Sequence, residues 1–473
     1  MTAPVVVWFR NDLRLDDNPA LDAAARSGAP IVALYVLDDD SAGDWRMGAA
    51  SRWWLHHSLA SLAADLARLG VALTLRRGRA EFVLEALIAE TRASGVYWNR
   101  LYEPWAMRRD SEIKANTRAK GLAVESFNAA LLFEPAHLRN KQGDVFKVFS
   151  PFWRACLATG GPPAPLSPPK KLKAAPAPQS EALDDWRLLP TKPDWATGLR
   201  AAWTPGEKAA RKRLADFASG PVRDYKVARD FMAEAGVSRL SPHLHFGEVS
   251  PRRVWAEIMG AAGDVGLPFL RELGWREFCH HLLVANPHMP ERALDGRFSD
   301  FPWRDDPAAL VAWQKGRTGY PLVDAAMREL WRTGYMHNRA RMVAASFLVK
   351  HLLIPWHAGE SWFWDTLVDA DLANNSGGWQ WVAGCGADAA PYFRVFNPVL
   401  QGEKFDPEGA YVRRHVPELA RLEARWIHRP WEAPADVLRK AGVTLGKTYP
   451  APIVDHAEAR ARALAAFDEV KGT

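Results

Sequence analysis

The feature that most limits how this chain can fold is a change of hydrophobic pattern along its length. In the first 127 residues, short β-branched and aromatic runs alternate with longer segments of helical spacing, such as residues 49–69 and 81–93. The strand-like runs cover residues 5–9, 31–37, 71–75, 96–98 and 122–127. Strands that alternate with helices predict a parallel sheet covered on both faces. We therefore expect a doubly wound, Rossmann-like α/β domain over residues 1–130.

Beyond this region the pattern changes twice. Residues 161–179 contain seven prolines, three lysines and no acidic residue, a composition typical of an extended linker. From about residue 204 onward, apolar residues recur with i, i+3, i+4 spacing, as in residues 268–284, 322–331 and 338–353. We predict an interdomain linker at residues 131–203 and an all-helical domain at residues 204–473. The expected fold class is α/β plus all-α.

The composition argues against several classes of protein. The 473 residues include only three cysteines and no C-x-x-C pair, so we expect no disulfide framework and no metal site, and a reducing cytoplasm fits. No run of 18 apolar residues occurs, so no membrane span is predicted. The sheet domain lacks both G-x-G-x-x-G and G-x-x-x-x-G-K-[ST], which removes the main support for a dehydrogenase or a P-loop ATPase. The net charge of +6 permits a polyanionic partner without proving one.

Three motifs carry side chains that chemistry could use, and the first is GVSRLSPH at residues 236–243. Hydroxyls, backbone N–H groups and a guanidinium that converge just before a proline would suit a phosphate or pyrophosphate. The same residues also fit an ordinary helix start, in which Ser241 is the N-cap ahead of Pro242. Composition alone favours the cap, and both interpretations stay open at this point.

The second motif is GYMHNRARM at residues 334–342. On a helix, Asn338 and Met342 share a face, and with Arg341 they could line one wall of a pocket. A buried arginine–carboxylate pair beside a core methionine explains the same residues equally well.

The third motif is DADLANNSGGWQW at residues 369–381. Its Asp, Asn and Gly residues predict a turn, and glycine lets a ligand approach the backbone closely. An irregular surface loop is the alternative, but two tryptophans in such a loop would be unusual, so function is favoured here.

Together these motifs resemble the DNA photolyase and cryptochrome family. WFRNDLR (8–14), WREF (275–278), TGYP (318–321), DAAMR (324–328) and FNP (396–398) extend the resemblance from residue 5 to about residue 465. It is nearest to class I cyclobutane pyrimidine dimer photolyases. The resemblance implies an FAD-binding helical domain and, as the partner, DNA that carries such a dimer.

The resemblance also implies the residues that hold FAD. Those that match contacts to the phosphates and ribityl chain are Tyr225, Ser238, Arg239, Leu240 and Ser241. Those that match residues around the isoalloxazine and adenine are Arg276, Asn338, Arg341, Asp369, Asp371 and Asn375. An ion pair between Arg341 and Asp369 is expected beside the ring. Asn375 is expected to face flavin N5, where a neutral amide can accept or donate a hydrogen bond.

In the implied reaction, light excites reduced FAD, an electron passes to a dimer flipped out of the duplex, the dimer splits and the electron returns. The enzyme is thus a lyase. The residues that match catalytic positions are Glu272, Asn338, Met342 and Asn375. The residues that match lesion or DNA contacts are Arg229, Glu272, Trp275, Arg339, Met342, Trp381 and Arg394. The tryptophan chain that carries an electron to the flavin matches Trp379, Trp356 and Trp303.

Some positions distinguish functions within the family. Plant cryptochromes tend to carry Asp where this chain has Asn375, and six-four photolyases carry a His-His pair where it has His337-Asn338, so repair of cyclobutane dimers is favoured. A cryptochrome-like blue-light photosensor stays open. So does an electron-transfer flavoprotein that binds no DNA, although it leaves Glu272, Trp275 and Met342 unexplained as a set.

The resemblance further permits a second, antenna chromophore. Folate-binding relatives usually carry Asn-Glu where this chain has Trp105-Ala106, whereas VYWN at residues 96–99 is closer to deazaflavin-type relatives. A deazaflavin-type antenna is favoured over folate, and its identity stays open. The family is usually monomeric, so a monomer is expected.

Overall fold

The computed structural model of the chain describes residues 2–389, 391–392 and 394–471. Its N-terminal part contains a five-stranded parallel sheet with strand order β3-β2-β1-β4-β5. The strands are β1 (Val5–Phe9), β2 (Ile31–Leu37), β3 (Leu73–Arg77), β4 (Gly95–Asn99) and β5 (Ala123–Phe127). Because β1, β2 and β4 are buried along their whole length, their apolar runs are nearly continuous.

Helices connect the strands and cover the sheet. They are α1 (Pro19–Arg26), α2 (Ala49–Arg68), α3 (Ala80–Thr91) and α4 (Pro104–Ala119). The start of α1 shows why the sequence folds this way locally, because the side chain of Asn18 accepts a hydrogen bond from Leu21 N–H and Pro19 occupies the first turn. The predicted doubly wound α/β domain is confirmed. The predicted strand at residues 71–75 is observed two residues further on.

The segment between the sheet and the helical bundle is largely anchored. Its helices are α5 (Phe149–Ala158) and α6 (Thr197–Ala202). The proline-rich stretch is extended, and it exchanges backbone hydrogen bonds with the start of β2, from Ile31 N–H to Lys173 O (2.7 Å) and from Ala175 N–H to Ile31 O (3.1 Å). Helix α5 places four side chains in the core of the helical bundle, namely Phe149, Phe152, Trp153 and Cys156.

The C-terminal part is a helical bundle, as predicted. Its helices are α7 (Glu207–Ala218), α8 (Tyr225–Ala228), α9 (Ser241–His245), α10 (Pro251–Ala262), α11 (Leu267–Ala285), α12 (Pro307–Gln314), α13 (Pro321–Thr333), α14 (Asn338–Ser346), α15 (Trp356–Thr366), α16 (Leu372–Ala383), α17 (Pro398–Phe405), α18 (Ala410–His415), α19 (Ala424–Ile427), α20 (Ala435–Ala441) and α21 (His456–Lys471). Helix α14 continues into a π-helical turn at Phe347–His351. Short 3₁₀ turns lie at Gly43–Trp45, Leu183–Trp186, Pro221–Arg223, Gly263–Gly266, Gly296–Asp300, Pro417–Leu419 and Pro430–Glu432.

The turn predicted at Gly377-Gly378 is wrong, because helix α16 runs through both glycines. Asp371 caps the helix by accepting from Asn374 N–H, and the helix ends at Gly384, whose φ is +86°. A Cβ atom at Gly377 would lie 2.8 Å from the sulfur of Cys279 on α11. Glycine here permits close packing of two helices rather than a change of chain direction.

Buried ion pairs join the sheet to the helical bundle. Asp17, which is fully buried, accepts hydrogen bonds from Ser250 Oγ (2.5 Å) and from Arg252 Nη2 (2.8 Å). Arg14 donates across the same boundary to the carbonyl of Gly247 (2.8 Å). Separating the sheet from the bundle would leave these buried groups without their partners. The contacts therefore hold the two parts against each other. Among the helices of the described ranges, none is long and apolar enough to cross a membrane.

Candidate functional site

A cavity of about 570 Å³ lies among helices α9, α11, α14 and α16. It brings together residues that are far apart in sequence, from the segment before α9 to the segment after α16. All the residues predicted to hold FAD line it, namely Tyr225, Ser238, Arg239, Leu240, Ser241, Arg276, Asn338, Arg341, Asp369, Asp371 and Asn375. Five of the predicted lesion residues line it too, namely Arg229, Glu272, Trp275, Met342 and Trp381.

An ion pair forms part of the cavity wall. Arg341 Nη2 donates to both carboxylate oxygens of Asp369, at 3.0 and 2.8 Å, and Arg341 Nε donates to Met336 O at 2.8 Å. Burial opposes the charge of Arg341, but Asp369, Tyr335 and Glu329 together outweigh it and raise the pKa of the guanidinium. The pair expected from the sequence thus forms, and loss of either partner would leave an uncompensated charge in the cavity wall.

Ser241 does not cap helix α9, so the N-cap interpretation of the first motif is wrong. Ser241 is the first helical residue, and the N-cap position, Leu240, makes no side-chain hydrogen bond. The Ser241 hydroxyl instead donates to Asp369 Oδ2 at 2.6 Å. The reason is position: the helix begins at Ser241 itself, so this side chain stands in the first turn and not at the residue before it, from which a cap accepts a backbone N–H.

Arg239 adopts a strained conformation beside the cavity. Its φ is +52°, a left-handed value that is uncommon for a non-glycine residue. Its guanidinium stacks on the rings of Trp203 and Tyr335, at 4.4 and 4.9 Å from their centroids. The buried Nε atom finds no partner within the described part of the chain. A fixed cation with an unused donor at a cavity wall fits an anionic ligand group.

A charged cluster surrounds Asp371 at the N-terminus of α16. His245 Nδ1 and His280 Nε2 lie 3.7 and 3.4 Å from Asp371 Oδ2. Burial disfavours the carboxylate, but the two histidines outweigh it and hold the pKa of Asp371 well below its usual range. Burial also opposes the charge of His280, yet Asp371 raises the pKa of that ring. Asp371 is therefore a fixed negative charge at the cavity.

The side-chain amide of Asn375 is oriented by the neighbouring helix. Its Nδ2 atom donates to the backbone carbonyl of Glu360 on α15 at 3.0 Å. The next residue, Ser376, donates its hydroxyl to the carboxyl of the same glutamate at 2.5 Å. Since the amide nitrogen is used in this way, the amide oxygen of Asn375 remains to accept a hydrogen bond in the cavity.

The predicted lesion residues divide into two groups. At the cavity, Glu272 forms an ion pair with Arg229, while Asn338 and Met342 lie together, with 3.9 Å between Nδ2 and Sδ. Two predicted DNA contacts, Arg339 and Arg394, do not line the cavity. Arg339 pairs with Asp230 at 2.6 Å and lies over the ring of Phe405, and the Arg394 side chain is exposed.

The three tryptophans predicted for electron transfer occupy different depths. Trp379 lines the cavity and packs edge-on against Trp313 and Phe363. Trp356 is buried in the same hydrophobic cluster, and Trp303 is partly buried at its margin. Within the described ranges, no direct ring contact joins Trp356 to Trp379 or to Trp303, so the chain stays a prediction.

Sequence reasoning missed several residues that line the cavity, including His245, Cys279, Tyr335, Asn374 and Gln380. Asn374 and Gln380 belong to the third motif and stand close in sequence to Asp371 and Trp379. That closeness could have identified them as candidate site residues. Tyr335 stands in the second motif, where it stacks on Arg239. The sequence around Cys279 does not indicate a site residue, because only the packing of α11 against α16 brings Cys279 to the cavity.

A second cavity of about 750 Å³ lies between the carboxyl end of the sheet and the helical bundle. Trp45, Trp105, Arg108, His357 and Trp364 are among the residues that line it. The usual ligand crevice of such a sheet, between β1 and β4 where the strand order reverses, is instead filled by buried polar side chains. Those are Arg10, Asp12, Asn18, Asn99 and Asp110.

The first cavity fits the FAD that the sequence predicts. Its walls are largely apolar, as a ring system requires, and polar groups of both charges stand at fixed points around it. One buried atom without a partner in the described part of the chain, Arg239 Nε, offers a contact for a ligand. Gly378 adds an open stretch of helix backbone, since nothing lies within 4 Å of where its Cβ would stand.

A parallel α/β domain fixed to a helical domain with such a cavity defines the two-domain architecture of photolyases and cryptochromes. Family comparison agrees: residues 5–171 match the DNA photolyase domain and residues 269–469 match the FAD binding domain of DNA photolyase. The chain therefore belongs to the DNA photolyase and cryptochrome family.

Individual relatives refine this picture. The chain is 54% identical to a deoxyribodipyrimidine photo-lyase of Agrobacterium fabrum, over all of this chain and 99% of that one. It is 43% identical to cryptochrome-1 of Arabidopsis thaliana, over 97% of this chain and 69% of that one. Among solved structures, a bacterial class III photolyase from Agrobacterium tumefaciens shares 53% identity with a TM-score of 0.97, over all of this chain and 98% of that one.

These relatives confirm the predicted family and the prediction of an enzyme of the photolyase type. They do not confirm the predicted class I, because the solved structure with 53% identity is of a class III photolyase.

Proposed function

We propose that this protein repairs cyclobutane pyrimidine dimers in DNA by light-driven electron transfer from reduced FAD. The observation that carries the proposal is the first cavity, in which the predicted FAD residues and five predicted lesion residues line one continuous space. FAD bound there supplies a light-excited electron donor. The named relatives include several deoxyribodipyrimidine photo-lyases, which supports DNA as the partner.

The residues of the chain would position the lesion. Trp275 and Trp381 offer flat apolar surfaces for a flipped pyrimidine pair. Glu272 would accept hydrogen bonds from a pyrimidine, since its pair with Arg229 involves only Oε1 and a carboxylate has two acceptor oxygens. Arg229 would contact a DNA phosphate with its remaining guanidinium donors.

The Asn375 amide and the Arg341–Asp369 pair would set the environment of the ring. Asn375 presents its side-chain oxygen as an acceptor, and Arg341 supplies guanidinium N–H donors whose charge Asp369 balances. Donors held in a fixed orientation beside a ring favour a ligand that gains negative charge. We propose that these residues hold the cofactor in its electron-rich form.

The deciding experiment uses the purified holoprotein with its flavin reduced and an oligonucleotide that carries one thymine dimer. We expect thymines to be restored under blue light and not in darkness. Glu272→Gln should lower repair yield more than binding, and Trp381→Ala should weaken binding. Trp331→Ala is the control, since Trp331 is exposed on α13 and does not line the cavity.

Two outcomes would contradict the proposal. No repair under light, with stable photoreduction of the bound flavin, would identify a photosensor instead, a function that the identity to cryptochrome-1 supports. A protein that photoreduces but shows no preference for damaged DNA would be an electron-transfer flavoprotein.

We also propose that a deazaflavin-type antenna chromophore occupies the second cavity. Three tryptophans line it, with Trp45 and Trp364 packed edge-to-face at 5.4 Å, and they offer surfaces for a flat ring system. One relative, an archaeal photolyase structure, is described as containing two FAD molecules and as implicating a novel light-harvesting cofactor, which supports a second chromophore and makes a second FAD the alternative to a deazaflavin. Absorption of the small molecules released on denaturation tests this: a deazaflavin beside FAD supports it, and FAD alone or a folate contradicts it.

A further inference from the structure

We call the part of the first cavity lined by the predicted lesion residues the lesion pocket; they are Arg229, Glu272, Trp275, Met342 and Trp381. One of its walls, Trp275, rests on a residue of helix α5, which does not itself line the cavity. The indole of Trp275 stacks face to face on the ring of Phe149, with centroids 3.9 Å apart and planes 6° from parallel. Phe149 is fully buried and is the first residue of α5, in the segment predicted as a linker. Aromatic pairs in proteins usually stand about 4.5–7 Å apart, so this contact is close.

Phe149 contacts the face of helix α11 that carries Trp275. The guanidinium of Arg271, one helical turn before Trp275, lies 4.9 Å from the centre of the Phe149 ring. Phe278 packs edge-on against Phe149, with centroids at 5.9 Å and planes at 76°. Phe149 thus covers one face of the Trp275 indole, while other atoms of Trp275 line the cavity.

A hydrogen bond also ties the backbone of Phe149 to the segment after α16. Phe149 N–H donates to Asp388 Oδ2 at 3.0 Å, and Val148, the N-cap residue of α5, supplies no side-chain cap of its own. Asp388 follows α16, the helix that carries Trp381, and its φ is +50°. The start of α5 is therefore tied both to α11 and to the segment after α16.

We propose that Phe149 is a positioning residue that fixes Trp275 before DNA binds. The inference rests on the proposed function, because it assigns Trp275 to the lesion pocket. Trp275 is only partly buried, so without its stacking partner the indole would have to be ordered during binding. Ordering a side chain at that moment weakens affinity, by about two- to tenfold for one flexible group. The interdomain segment thereby contributes to how well damaged DNA is distinguished from intact DNA.

The experiment compares two leucine substitutions on one helix. Phe149→Leu keeps an apolar side chain but removes the flat face under Trp275. Phe152→Leu is the matched control, because Phe152 is equally buried on α5 and packs on Phe149, Phe278 and His281 without a ring contact to Trp275. In the holoprotein we expect Phe149→Leu to raise the Kd for a thymine-dimer oligonucleotide about two- to tenfold. Phe152→Leu should leave that Kd unchanged, and both should leave the flavin absorption unchanged.

A double-mutant cycle with Trp275→Ala tests whether Phe149 acts through the indole. If it does, the double variant has the same Kd as Trp275→Ala alone. Additive losses, or an equal loss in Phe152→Leu, would overturn the inference while leaving the proposed function intact. An unchanged Kd in Trp275→Ala would overturn the inference and the lesion pocket together.

A second variant tests the same proposal if Phe149→Leu does not fold. Asp388→Gly removes the carboxylate that accepts from Phe149 N–H, and glycine tolerates the left-handed φ of +50° at this exposed position. We expect a smaller rise in Kd in the same direction, and no further rise when it is combined with Trp275→Ala. A rise that persists in the Trp275→Ala background would contradict the proposal.

Discussion

At the residue scale, Glu360 shows how burial sets a protonation state. Its side chain is about 1% exposed and lies between the two cavities, where Ser376 donates a hydrogen bond to it. Burial raises the pKa of this carboxyl to about 8, and the hydrogen bond from Ser376 only partly opposes that change. At neutral pH the group is therefore protonated and neutral in the folded protein.

This protonation predicts how stability depends on pH. The pKa of Glu360 is about 8 when folded and about 4.3 when unfolded, so between those values the folded state binds the extra proton. Its contribution to stability is complete below the unfolded pKa and is lost as pH rises through the folded pKa. Glu360→Gln, which imitates the neutral acid, should lose less stability between pH 5 and 8.5. Thermal melts across that range test this, and parallel curves for the two proteins would contradict it.

At the scale of elements, helix α16 depends on glycine at one position. A Cβ at Gly377 would stand 2.8 Å from Cys279 Sγ, so Gly377→Ala should push α16 away from α11. We expect a loss of about 1–3 kcal/mol, as for other overpacked cores. Gly260→Ala is the control, because Gly260 lies inside α10 with nothing within 4 Å, and alanine there should stabilise by about 0.5–1 kcal/mol. Urea unfolding of each holoprotein measures both, and equal effects would contradict the packing argument.

The elements also show what the sequence could predict. The strands of the sheet could be predicted because a run such as residues 31–37 is apolar throughout, which is typical of a strand buried on both faces. The helix through Gly377 and Gly378 could not be predicted from the sequence. Glycine is needed at Gly377 because Cys279 packs against it, and Cys279 lies about 100 residues earlier in the chain. Helix α5 was hidden in the same way, because the rings that pack against its phenylalanines from elsewhere in the chain include Trp275, Phe278 and His281, more than 100 residues later.

The candidate site, too, could be predicted only in part from the sequence. Motifs placed Arg341, Asp369 and Asn375 near one ligand, and the structure brings them to one cavity. The partners that hold them could not be read from the sequence. Glu360, which orients Asn375, comes 15 residues earlier with no motif around it. Arg339 matched a DNA contact by position, yet its partner Asp230 lies 109 residues away.

At the scale of the whole molecule, Asp17 joins the sheet to the bundle, and Asp17→Ala would leave Arg252 without its buried partner. We expect a loss of about 3 kcal/mol or more, since breaking a buried ion pair leaves one charge uncompensated. Asp22→Ala is the control, because its pair with Arg26 is largely exposed and is worth at most about 1 kcal/mol. Urea unfolding monitored by circular dichroism and by flavin release measures the two losses, and similar values would show that the interdomain pair does not stabilise the molecule.

The salt dependence of DNA binding reports which arginines neutralise phosphates. The Arg394 side chain is exposed and has no ion-pair partner within the described residues, while buried Lys350 holds its backbone carbonyl at 3.0 Å. Arg339 is already paired with Asp230. Arg394→Ala should therefore reduce the slope of log Kd against log salt concentration by about 0.9, the value for one phosphate contact on duplex DNA. Arg339→Ala should reduce it less, because DNA must first displace Asp230. Titrations from about 50 to 200 mM salt with damaged and intact duplexes measure both slopes. A slope unchanged in Arg394→Ala would place the DNA backbone elsewhere on the surface.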